Sequence, residues 1–237
     1  MTPRLALRES PRCSAAARGY TLVELLVVVA LIAGLAAFLF RGIGGSGGGA
    51  SLQTGQALLT NLFIVARTKA VATGATTRVL VQVDPSIRDD FLRICAVQIA
   101  RAGGWETVME TRLPEGIFVV PGNVPSLPAG MFDERDAAGW IKADGSTPLR
   151  STALRAGAVV TAVVGAGTDA QWATVSFAAA GTTAQAGDIV LAPGRRRPPG
   201  TVSAGASPIV LEQPERVRGL ALSTYGLVTL IDERASF

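Results

Sequence analysis

Apolar residues are distributed unevenly along the chain. From Tyr20 to Phe40 they run almost unbroken, and Glu24 is the one charged side chain among them. A helix rising about 1.5 Å per residue would carry this run about 32 Å, enough to cross a bilayer. Residues 44–49 then place five glycines in six positions. Each glycine costs a helix about 1 kcal/mol relative to alanine, so residues 42–51 are expected to form a flexible joint. From Leu52 to Thr73 the apolar positions recur every three or four residues. Leu58, Leu59, Leu62, Phe63, Val65, Ala66, Ala70 and Val71 make the stripe, while Gln53, Gln56, Asn61 and Lys69 fall largely off it. This spacing predicts an amphipathic helix packed on a sheet, with Gly74 as its C-cap.

Beyond Gly74 the pattern is that of strands. Thr77–Asp84 sets Val79, Val81 and Val83 against Arg78, Leu80 and Gln82. Phe91–Ala100 and Trp105–Leu113 follow, joined by a glycine hairpin signal at Ala102-Gly103-Gly104. Gly116–Val120, Ala158–Val164, Trp172–Ala178, Asp188–Leu191 and Pro208–Leu211 read as further strands. Val217–Ser223 and Leu227–Asp232 close the chain around Tyr225-Gly226. Pro121–Pro128 reads as a loop, and Met131–Leu149 has no clear period. The expected class is α+β: a transmembrane helix over 20–41, a short amphipathic helix, then a mostly antiparallel sheet or two-sheet sandwich within a head domain spanning 52–237.

Charge adds an orientation. Arg4, Arg8, Arg12 and Arg18 precede the apolar run against one acid, Glu9. Positive flanks stay cytoplasmic, so the head is expected on the far side of the membrane. The formal charge of the whole chain is +4. Without residues 1–19, 18 basic residues face 17 acidic ones, so the high pI is no argument for a nucleic-acid partner. Cys95 would remain as a single thiol in an apolar run, read as buried and inert. There are no histidines, which removes the commonest metal ligand and general base.

Arg18-Gly19-Tyr20-Thr21-Leu22-Val23-Glu24 resembles the class III signal of type IV pilins and pseudopilins. A Sec signal peptide would have a shorter apolar region ending in a small-x-small site, and no lipoprotein cysteine follows. The resemblance implies cleavage after Gly19 by a prepilin peptidase, removing residues 1–19. It also implies N-methylation of Tyr20 and a role in filament assembly for Glu24, facing the amine of a neighbouring subunit. Ala66-Arg67-Thr68-Lys69-Ala70 with the Val79-Leu80-Val81 strand, and Val175–Thr182 with its glycine turn, resemble parts of GspH/FimT-type minor pseudopilin domains. The final Gly219–Ile231 hairpin is similar to that family's closing strands. A pilin-like subunit of a type II secretion pseudopilus or related filament is the implied function. Its partners would be other pseudopilins or minor pilins, the inner membrane, and possible secreted cargo. The head would face the periplasm.

Other chemistry is sparse. Arg195, Arg196 and Arg197, within a Pro/Gly stretch, are expected to form a basic loop, with Arg216 and Arg218 as possible neighbours. Such a loop could hold DNA phosphates as in FimT-like uptake pilins, the alternative reading, or serve as a solvated tip meeting acidic neighbours. Asp84, Asp89, Asp90, Asp133, Glu134 and Asp136 match no calcium-loop spacing and are assigned to turns. No metal, cofactor or catalytic constellation is expected, and the chain is not read as an enzyme.

Overall fold

The computed structural model describes residues 22–122, 128–133, 139–154, 159–165, 167, 169–203 and 205–237, with the side chains of 34–48 left aside. The chain divides into two compact units, Met1–Gly45 and Ser46–Phe237. One long helix, α1, runs Leu22–Thr73. Its backbone is helical through 42–51, where a break was expected, so the amphipathic segment is not a separate helix. Glycine weakens a helix through entropy, but it keeps its N–H and forbids no helical dihedral, unlike proline. The boundary between the two units nevertheless falls inside that glycine run. At the other end Gly74 takes φ +61°, the left-handed conformation a glycine C-cap supplies at little cost.

Ten strands follow: β1 Thr77–Gln82, β2 Ile94–Arg101, β3 Gly104–Arg112, β4 Ile117–Val120, β5 Val159–Ala162, β6 Ala170–Phe177, β7 Gly187–Arg196, β8 Ile209–Leu211, β9 Arg218–Leu222 and β10 Val228–Ile231. They form two antiparallel five-strand arrays. The first has the order β3-β2-β1-β6-β5; the second has the order β10-β9-β7-β4, with β8 paired to the far end of β7. The β2–β3 hairpin closes as expected, with Arg101 opposite Gly104. So does the β9–β10 hairpin, where Gly226 sits at φ +72°.

The stripe on α1 explains why the arrays come together. Leu59, Leu62, Phe63, Ala66 and Ala70 are buried against Val79, Val81, Val97 and Phe177 of the first array and Val119, Leu191 and Leu220 of the second. Phe63 meets Phe177 edge-on at 6.2 Å. Leu58 and Val65 are only partly buried, and Val71 faces outward. Gln56, placed off the stripe by sequence, is buried. Its Nε2 donates to the carbonyls of Gly219 and Ile231 at 2.9 and 3.0 Å, fastening the helix to β9 and β10.

Both arrays are covered on their other faces as well. On the first, Leu80, Ile94, Ala96 and Trp172 form a separate apolar cluster. Strand β1 is therefore buried at every position, Arg78 and Gln82 included, where alternation suggested a wet face. On the second, Phe118, Val120, Val190 and Ala192 pack against Phe91, Leu92, Met131, Trp140 and Leu149. The aperiodic stretch beginning at Met131 is thus a covering layer whose anchors are single residues. Arg150 belongs to that layer, lying 3.7 Å above the Phe132 ring, and burial pulls its pKa down to about 10.

Candidate functional site

Glu24 stands in the first turn of α1 as described, and its residue is exposed. Around it nine large apolar side chains between Leu22 and Ile32 are exposed, from Val27 at 51 % to Leu22 at 82 %. At about 100° per residue these positions point in every direction around the axis. Removing nine such side chains from water would stabilise a covered state by on the order of 10–20 kcal/mol. The apolar run continues to Phe40 in sequence. Among the described residues, no helix is long and apolar enough to cross a membrane. Gly19 and Tyr20, the expected cleavage and methylation positions, lie outside the described residues.

The three arginines do not form a basic loop. Arg195 and Arg196 are the last residues of β7, opposite Val210 and Ile209 of β8; only Arg197 begins the Pro/Gly turn. The strand runs on because β8 supplies a second partner beyond the end of β9, which the short Pro208–Leu211 signal did not reveal. The positive charge is also largely matched. Arg195 pairs with Glu212. Arg196 Nη1 meets Asp89 Oδ1 at 2.9 Å, its Nη2 donates to the Asp89 carbonyl, and its Nε lies 3.7 Å from Glu115. Glu115 also holds the buried Arg93 at 3.0 Å. Burial pulls the Arg93 pKa down against the attraction of Glu115, and Arg196 and Arg112 add to the fall. Arg112 pairs with Asp90. Asp89 and Asp90 do lie in the turns between β1 and β2, as read, and they are also counter-ions to Arg196 of β7 and Arg112 of β3, a role that only tertiary proximity reveals. Arg218 is paired elsewhere, with Asp232 at 3.4 Å, and Arg216 Nη1 donates to Gln213.

Arg197 differs from its two neighbours. Its Nη2 donates to the Gly130 carbonyl at 2.7 Å. A concavity of about 390 Å³ opens here, lined by Arg195, Arg197, Thr201, Phe132 and Asp133 among others.

Asp84 serves its turn, as read. In Asp84, burial works to raise the pKa, but hydrogen bonds from the Ser86 hydroxyl and amide outweigh it and hold the carboxyl below its ordinary value. Among the described residues no three His, Cys, Asp or Glu side chains converge as a metal would require; Glu134 and Asp136 lie outside that set. Cys95 is fully buried, and burial pushes its thiol up to about 12, which makes it a poor nucleophile.

No protein-family model and no curated protein matches the chain. Among solved structures it is similar to the type IV minor pilin FimU of Pseudomonas aeruginosa, with 11 % identity, a TM-score of 0.36, and 76 % of this chain and 87 % of that one covered. It is also similar to the minor pseudopilin EpsH from the type 2 secretion system of Vibrio cholerae, with 12 % identity, a TM-score of 0.39, and coverage of 77 % and 96 %.

Proposed function

We propose that the chain is a minor pilin-like subunit, of the secretion-pseudopilus or type IV pilus kind. It is held in the inner membrane by its apolar helix, cut between Gly19 and Tyr20, methylated at Tyr20, and assembled into a filament with its head outside the membrane. One observation carries the reading: a Gly-Tyr-Thr-Leu-Val-Glu signal runs directly into a helix whose large apolar side chains from Leu22 to Ile32 are exposed all round its axis. Such a helix needs lipid before assembly and neighbouring helices after it. Glu24 then has a function suited to its cost. A carboxylate in hydrocarbon costs on the order of 2.5–3.5 kcal/mol, and a neighbour's N-terminal ammonium would offset that while fixing axial register. The reading requires no catalytic group.

DNA binding through Arg195, Arg196 and Arg197 draws less support. Two of the three already face carboxylates, which lowers the local charge available for phosphates.

The test is co-expression with a prepilin peptidase and the other subunits of a filament system, read by intact mass and by filament content. The wild type should lose residues 1–19 and gain one methyl group. Gly19→Val should keep the leader. Glu24→Ala should be cut but largely absent from filaments. A wild-type mass unchanged by the peptidase would overturn the reading.

A further inference from the structure

The outer face of the first array holds a cation that no carboxylate of the described residues meets. Arg78, in the centre of that array on β1, is only 9 % exposed. Its Nε and Nη2 both donate to Gln98 Oε1, at 3.0 and 2.8 Å. Gln98 is itself held in place, its Nε2 donating to Thr107 Oγ1 and to the Val163 carbonyl. The Trp105 ring lies 4.0 Å from the guanidinium carbon. Among the described residues no carboxylate pairs with Arg78. The acid of the adjoining hairpin, Glu106, is engaged by Arg101 at 2.9 Å. Glu110 lies two register pairs beyond Gln98, opposite Ala96, and makes no ion pair with Arg78. A neutral amide oxygen and an aromatic face are weak compensation for a buried charge. Arg78 Nη1 has no protein partner among the described residues, and it is not sealed from solvent.

We propose that Arg78 and Trp105 form a receptor for a carboxylate supplied by an acidic segment of another protein. With Nε and Nη2 held by Gln98, the guanidinium is fixed in orientation, and its Nη1 is left to donate to a carboxylate with little lost on binding. Trp105 is 42 % exposed on β3, the edge strand of its array. It offers a flat apolar face to the chain that carries the acid. Arginine and tryptophan are the side chains that most often dominate binding energy at protein interfaces. A nucleic-acid backbone fits less well, because it needs a row of free cations, and Arg101 on the neighbouring strand β2 is already paired with Glu106. The inference holds whether or not the chain is processed at Gly19.

The test uses the full chain in detergent micelles, titrated calorimetrically with the peptide acetyl-Glu-Leu-Glu-amide. Its Gln-Leu-Gln counterpart and inorganic phosphate serve as separate probes. A saturable heat is expected with the acidic peptide, with no response to the neutral one and weaker binding of phosphate. Arg78→Lys keeps the charge but loses the planar group that Gln98 and Trp105 hold in place, and should weaken binding by at least about tenfold, the equivalent of about 1.4 kcal/mol. Trp105→Ala changes a residue on the edge strand that is 42 % exposed and belongs to no buried apolar cluster among the described residues. It should also weaken binding, which keeps the test decisive if the Arg78 variant misfolds. No saturable heat, equal binding of the neutral peptide, or unchanged binding in the folded variants would overturn the proposal. Phosphate binding as tightly as the peptide would overturn the partner class.

Discussion

Gln56 shows how one polar side chain can do what an apolar stripe cannot. The stripe says which face of α1 is buried, but helical packing tolerates small rotations and slides. The two bonds from Gln56 to Gly219 and Ile231 fix the helix at a single height on the β9–β10 hairpin. Gln56→Leu keeps the volume and removes the donor, leaving two buried carbonyls short of a partner. It should cost about 2 kcal/mol, read as a fall in the thermal midpoint with the circular dichroism spectrum unchanged. A midpoint equal to wild type would mean that water replaces the amide. Gly226 is the backbone counterpart. At φ +72° it is in a conformation that side-chain-bearing residues rarely adopt, and an added Cβ would also run into the Gly181 carbonyl.

Among the elements, β7 departs furthest from its sequence signal. Only Asp188–Leu191 reads as a strand, yet pairing with β4, β9 and β8 extends it to ten residues. The extension carries Arg195 and Arg196 out of the expected loop and places them beside acids from distant segments. These ion pairs should differ in weight. Glu115 partners Arg93, whose side chain is 4 % exposed, whereas Arg195 and Glu212 meet at the surface. Glu115→Ala leaves a buried guanidinium with weaker compensation and should cost about 1–2 kcal/mol, discounted because Glu115 itself is exposed. Arg195→Ala should stay within about 0.5 kcal/mol. Urea midpoints of the two variants decide it, and equal shifts would mean that burial of Arg93 adds nothing to its pair.

For the whole molecule the division at Gly45 and Ser46 has a practical consequence. Residues 46–237 contain the buried face of α1 from Leu52 onward and both arrays. That fragment should be soluble, monomeric and β-rich by circular dichroism, while chains retaining Leu22–Ile32 should need detergent. A mainly helical spectrum, or a fragment that aggregates, would contradict the independence of the second unit. The starting point matters, because Leu52 is itself buried and a fragment beginning after it would lose part of the core.

The sequence by itself determined the local features: the apolar run with Glu24, the stripe on Leu52–Thr73, the hairpins at Gly104 and Gly226, and the glycine cap at Gly74. Each depends on neighbours within a few residues, where periodicity and backbone preference act directly. Only the tertiary structure decided the partners. It buried Arg78, Gln56 and Gln82, turned the unpatterned stretch around Met131 and Trp140 into a covering layer, and matched Arg196 and Arg93 with Asp89 and Glu115. Those outcomes depend on which segments come to lie side by side. Burial and charge pairing are properties of the assembled surface, and a polar residue in a list carries no mark of whether water or another strand will face it.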